Sequence, residues 1–138
     1  MKQLLARIRS SRAELDEAAF VLPVLLLVAL GLVNLALLGF AAINANNAAN
    51  YGARMGSVAQ QNPTGVAQAA AQEKLAAVRV GSYQVSVNGS STPGGLLTVT
   101  VRYTVPSYFG AAAGWFGVAS VPRNFSGTAQ AHFRKEGW

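Results

Sequence analysis

The 138 residues contain no cysteine, so neither a disulfide framework nor a thiolate metal site is available to hold a small fold together. Acidic residues are nearly as scarce: Glu14, Asp16 and Glu17 lie together near the start, and only Glu73 and Glu136 occur beyond residue 43. There is a single histidine, His132. The chain has no paired carboxylates, metal-ligand cluster, nucleophile elbow or phosphate-binding loop, so it offers nothing for catalysis, a metal or a cofactor to use. An enzyme is the least expected class. The net charge of +6 is unequally divided, with four cations against three anions in residues 1–17 and seven against two in residues 44–138. The basic side chains form neither a run nor a basic–aromatic cluster. They read as a solvated face and point away from nucleic acid as a partner.

What the sequence does have is one long apolar run. The 26 residues from Ala18 to Ile43, AAFVLPVLLLVALGLVNLALLGFAAI, carry no charge. As a helix they extend roughly 39 Å, more than the roughly 30 Å hydrocarbon core of a bilayer. The run exceeds the apolar core of a removed secretory signal, and helix-favouring residues continue beyond it, so the segment is expected to remain as a single membrane span. Lys2, Arg7, Arg9 and Arg12 precede it and the next cation is Arg54. The positive-inside rule then puts the segment before the span in the cytoplasm and the rest outside. Membrane lipid is the first expected partner.

Three polar or irregular residues mark this helix. Pro23 removes a hydrogen bond to the carbonyl of Ala19 and predicts a kink or local loosening. Asn34 lies near mid-span, where an unpaired amide is costly; it either bonds back to its own helix or is satisfied by neighbouring helices. Ala29, Gly31, Ala36, Gly39, Ala41 and Ala42 offer small surfaces for such neighbours. At the entrance, Glu14 and Asp16 suit a helix N-terminus capped by Ser10 or Ser11. Glu17 abuts the apolar run and needs a cationic partner in lipid or in a helix bundle.

The stretch Glu17-Ala18-Ala19-Phe20-Val21-Leu22-Pro23 is similar to the E-F-A-L-V-L-P motif of TadE-like proteins, the pilin-like proteins of tight-adherence (Tad) pili within the type IV pilin superfamily. Ala48-Ala49-Asn50-Tyr51-Gly52-Ala53-Arg54 resembles the A-A-x-x-G-A-R segment that follows the span in that family. Ala129–Glu136 resembles its closing strand. The resemblance implies processing by a prepilin peptidase five residues before the glutamate, at Arg12–Ala13. The new amine of Ala13 would then neutralise Glu17 of an adjacent subunit. This chain has Arg12 where the family usually has glycine, and a cut at Ser11–Arg12 would make Asp16 the fifth residue instead.

Beyond the span, helix is expected to continue from Asn44 to about Gln60, with a break at Gln61–Gly65 and a second helix over Val66–Val78 that Gly81 stops. Period-two alternation then predicts strands at Tyr83–Val87 and Leu97–Val105, joined through Asn88–Gly95 and ended at Pro106. Ser107–Ser120 is Gly/Ala-rich and apolar, a short helix or a loop. A last strand runs from about Phe125 to Arg134. Tyr108, Phe109, Trp115 and Phe116 form either a local core or a contact between subunits. Asn88-Gly89-Ser90 and Asn124-Phe125-Ser126 fit the glycosylation sequon.

The expected fold is α+β, with a leader-like segment at 1–17, a long helix at 18–60 and a head at 61–138 in which a short helix packs on an antiparallel sheet of about three strands. The resemblance implies a structural protein that self-associates into a helical filament, moving from the inner membrane to an extracellular pilus with the help of pilus assembly machinery. A membrane-retained assembly factor of the same system and a membrane-anchored basic binding module are the alternatives.

Overall fold

The computed structural model describes residues 2–115, 117 and 121–136 and, from Ala18 onward, their side chains apart from those of Ala111 and Trp115. A single helix, α1 (Lys2–Val58), takes up 57 residues, roughly 86 Å of rise. It passes through Pro23 without interruption. It also begins well before the acidic cluster, so Ser10 and Ser11 lie within the helix and do not cap it. Leu4, Leu5, Ala6 and Arg7 favour helix as strongly as the span itself does, which leaves no reason for a start just after Ser10 or Ser11.

The second helix, α2 (Pro63–Ala76), starts three residues earlier than its apolar stripe suggested. Pro63-Thr64-Gly65 reads as a break but forms the first turn. A proline in that turn has no N–H to lose, and Asn62, left-handed at φ 44°, accepts the Gly65 N–H at 3.2 Å. At the other end α2 stops at Ala76, capped by Ala77. Gly81 does not terminate it; at φ 79° it makes the left-handed turn into the sheet. Three antiparallel strands follow in the order β1 (Ser82–Gly89), β2 (Leu96–Pro106) and β3 (Asn124–Arg134), with helix α3 (Tyr108–Trp115) joining the last two. The fold is α+β, as the pattern of apolar spacing implied.

The sheet is two-faced. Leu97, Val99, Val101 and Val105 of β2 are fully buried, flanked by Ala129 and Ala131 of β3 and by the half-buried Tyr83, Val85 and Val87 of β1. The alternate positions, from Gln84 and Ser86 across Thr100 and Arg102 to Thr128 and Gln130, are polar and form the outer face.

α1 supplies a stripe of small residues to the inner face, with Ala41, Ala45, Ala48, Ala49 and Ala53 wholly buried. α2 closes on the same stripe. A Cβ built on Gly52 would fall 2.6 Å from the Ala67 carbonyl oxygen and 2.8 Å from the Ala71 Cβ. One on Gly56 would meet a Leu97 methyl at 2.5 Å and the Ala67 Cβ at 2.7 Å. Gly52-x-x-x-Gly56 is therefore the place where two helices and the sheet approach within backbone distance, and only glycine leaves the room. Lys74 of α2 lies 4.6 Å above the Tyr51 ring of α1, a cation–π contact at the rim of this seam.

The head lies lengthwise along α1. At one end Leu97 touches Gly56, and Ser57 accepts a hydrogen bond from the Glu136 amide at 3.0 Å. At the other, Pro106 is bonded to Asn34. From Asn34 to Gly56 the helix rises roughly 33 Å, and from Leu97 to Pro106 the strand covers roughly 30 Å, so the two run side by side over one length.

Candidate functional site

Within the described part of α1, two regions divide the labour. From Asn44 onward, polar residues alternate with the buried alanines, and three of the four asparagines bond back to their own helix. Asn44 donates to Phe40 O at 2.8 Å, Asn46 to Ala42 O at 3.1 Å and Asn50 to Asn46 O at 2.9 Å. Before that, α1 is apolar and uncovered. Phe20 is 81% exposed, Leu22 64%, Leu32 63% and Leu35 66%. Twelve large apolar side chains between Phe20 and Ile43 face outward in this way. Holding them in water at roughly 1.5 kcal/mol each would cost on the order of 18 kcal/mol, more than the whole stability of a typical small domain. Something apolar must cover this surface, and its length and composition suit a membrane.

The expected span of Ala18–Ile43 is not, however, uniformly free. Ala41 is fully buried under the head and Asn34 is only 4% exposed. The Asn34 amide does not bond back to its own helix. Its Nδ2 donates to Pro106 O at 3.0 Å, and its Oδ1 accepts the Phe109 N–H at 2.9 Å. Both partners belong to the head of the same chain. They are the last carbonyl of β2 and a donor in the first turn of α3, groups that strand and helix leave unpaired. The next donor in that turn, Gly110 N–H, goes to Ser107 Oγ at 2.9 Å, and Ser107 N–H goes to Arg123 O at 2.8 Å. Asn34 is thus a clasp between helix and head. Of the two expectations for this amide, the partner on another element holds: helix α3 and the end of β2 of the same chain satisfy it.

The aromatic residues fall on both sides of this clasp. Phe109 is half-buried and lies against α1, within reach of a Cβ placed on Gly31. With Gly31, Asn34, Leu35, Leu38 and Phe125 it lines an open apolar groove of about 170 Å³. Tyr108 points away and is 51% exposed. The Trp115 side chain and Phe116 lie outside the described residues, as do the side chains of Arg12, Ala13 and Glu17; the backbone of these last three is helical. Asn88 and Asn124, the sequon asparagines, are exposed on β1 and β3. Pro23 is half-buried, as are Leu27 and Leu30 on the same stretch.

Elsewhere in the head, among the described residues, the histidine and the carboxylates lie apart. His132 Nδ1 lies 2.9 Å from Thr98 Oγ1 as a cross-strand pair on the exposed face. No His, Asp and Glu cluster able to hold a metal occurs among the described residues. Burial, reinforced by the neighbouring Tyr103, raises the Tyr83 phenol above its ordinary value. Its hydroxyl is buried without a hydrogen-bond partner among the described residues.

Two features were missed in the sequence. One is the Asn34 clasp, whose partners lie 72 and 75 positions away. The other is the Gly52–Gly56 spacing, a signal that was present but hidden inside a motif read only for its resemblance. Residues 17–54 match the family model described as TadE-like protein. The matched segment opens at Glu17, takes in the exposed apolar stretch and the clasp, and closes at Arg54 on the Gly52 seam. No curated protein and no solved structure matches the chain.

Proposed function

We propose that this chain, TadE-like over residues 17–54 and in that measure related to the Tad pilus system, is a structural subunit of the pilus filament. The observation that carries the reading is the uncovered apolar stretch of α1 ahead of one whose alanine face is buried under the head. Such a helix is soluble neither alone nor as part of a head. It has two apolar environments to choose from, lipid before assembly and a bundle of like helices afterwards. In the first state the basic residues Lys2, Arg7, Arg9 and Arg12 hold the leading end in the cytoplasm, and the head lies on the outer side of the inner membrane. In the second, α1 helices pack together in the filament core and the polar outer face of the sheet forms the filament surface.

Glu17 sets the register of that bundle. A carboxylate at the edge of an apolar core needs a cation. If a prepilin peptidase cuts at Arg12–Ala13, the new amine of a neighbouring Ala13 is that cation; in an uncut chain Arg12 or another basic side chain takes its place. Pro23 lies one and a half turns further on, where the missing N–H lets the helix bend to fit its neighbours. Self-association of the chain supplies the mechanism.

Imaging of sheared surface filaments, with peptide identification of their subunits, tests the proposal. Peptides of this chain as a main filament component are the expected result. Recovery from the inner membrane alone would refute a filament subunit and favour the membrane-retained assembly factor, a reading that Arg12 in the usual glycine position supports. Mass spectrometry of the mature N-terminus decides between a chain beginning at Ala13 and an uncut one.

A further inference from the structure

We infer that α3 is a membrane-interface element: it seats the base of the head in the outermost acyl and headgroup layer of the bilayer that holds α1, and its partner is lipid. The inference rests on the membrane-anchored state proposed above and adds where the head sits in it.

The clasp fixes the depth. From Ala18 to Asn34 the helix rises roughly 24 Å, against a hydrocarbon core of roughly 30 Å. Glu14, Asp16 and Glu17 stand directly before Ala18 and resist entry into the core, so Asn34 lies short of the far boundary by roughly a helical turn. Tilt shortens the projection and takes it deeper. Because Asn34 holds Pro106 and Phe109 directly, the first turn of α3 is brought to the same level.

The chemistry of that end agrees. No charged residue occurs between Arg102 and Arg123, a stretch that includes the whole of α3. The opposite end of the head, where β1 turns into β2 through Asn88-Gly89-Ser90-Ser91-Thr92-Pro93-Gly94-Gly95, is polar, with Lys135 and Glu136 beside it. At the membrane end the chain is uncharged from Tyr103 to Pro122, with the exposed Arg123 and Asn124 at its edge, whereas the far end is polar. The backbone at the base is also prepared for lipid. The Ser107, Phe109 and Gly110 amides and the Pro106 carbonyl are all paired within the protein, as backbone at that depth requires.

Tyr108 projects outward as an amphipathic ring suited to the headgroup level, and the exposed Arg123 follows where its cation reaches lipid phosphates. The groove between Leu35, Leu38, Phe109 and Phe125 opens onto the lipid-facing stretch of α1 and offers an acyl chain an apolar wall.

The absence of cysteine makes the test clean. Nitroxide labels are placed one at a time in the full-length chain through Tyr108→Cys, Leu25→Cys and Ser91→Cys, all exposed positions, in phosphatidylethanolamine–phosphatidylglycerol vesicles. Power saturation compares collision with oxygen, which concentrates in lipid, and with a water-soluble nickel chelate. The expected result is a lipid signature at 25, an aqueous one at 91, and a lipid or boundary signature at 108. An aqueous signature at 108 with lipid at 25 overturns the inference and leaves the anchor standing. An aqueous signature at 25 overturns the anchored state itself and the inference with it.

Discussion

Replacing Asn34 with alanine is the most telling perturbation of this chain. The substitution leaves the Pro106 carbonyl and the Phe109 N–H without partners in a site where Asn34 itself is 4% exposed. A buried unpaired group costs about 1–3 kcal/mol, and because Phe109 is only half-buried the lower end applies, giving about 2 kcal/mol for the pair. Alanine recovers up to about 0.7 kcal/mol through its higher helix propensity. The net loss, about 1.5 kcal/mol, falls on the docking of the base of the head and corresponds to about tenfold in the local opening equilibrium. Native-state hydrogen exchange in bicelles, read at the amides of α3 and the last residues of β2, measures it. Asn44→Ala is the matched control, because it deletes only an i−4 bond within the helix and stays within about 0.5 kcal/mol of the parent. Equal protection of α3 in Asn34→Ala and in the parent chain would refute the clasp.

Gly52→Ala forces a Cβ against the Ala67 carbonyl and Ala71 and should lower thermal stability by about 1–2 kcal/mol, whereas Gly39→Ala, with nothing within 4 Å, should be neutral or stabilising by up to about 1 kcal/mol in the same micelle melt. Tyr83 has a folded-state pKa raised above the ordinary 10.0, so the unfolded chain ionises first; its contribution is complete below that value and is lost as pH rises through the folded one. Tyr83→Phe should remove this alkaline loss, and by deleting an unpaired hydroxyl it should also add about 1 kcal/mol at neutral pH, both visible in denaturant melts from pH 8 to 11. Glu17→Ala should leave the membrane content of the protein unchanged while depleting it from sheared filaments, as scored by immunoblot of the two fractions; parental filament yield would show that register is set elsewhere.

The strands were legible because one face of each is buried against a helix and the other meets water, so period two is written into Tyr83–Val87 and Leu97–Val105 directly. Local chemistry carried less. Pro63-Thr64-Gly65 has the composition of a loop, and only the left-handed Asn62 ahead of it turns the same residues into a helix start. Asn34 shows the limit. Five asparagines on one helix have identical side chains; Asn44, Asn46 and Asn50 bond back four residues and Asn34 does not. What distinguishes them is a partner 72 residues away, set by how β2 lies along α1, and no window of sequence holds that information. The Ala48–Arg54 segment carries a family likeness in its sequence, but the packing it serves is set by α2 and β2, which lie outside it. Its small residues are where the head is bolted to the helix.

That lengthwise attachment has a mechanical consequence. β2 runs beside α1 for roughly 30 Å, fastened at Gly56–Leu97 and Ser57–Glu136 at one end and at Asn34 at the other. A pull along the helix axis loads these contacts in shear, all at once, whereas a pull across the axis would peel them in succession. A fibre built from such units would resist tension along its length far better than sideways bending of its heads, the direction in which a surface tether is drawn.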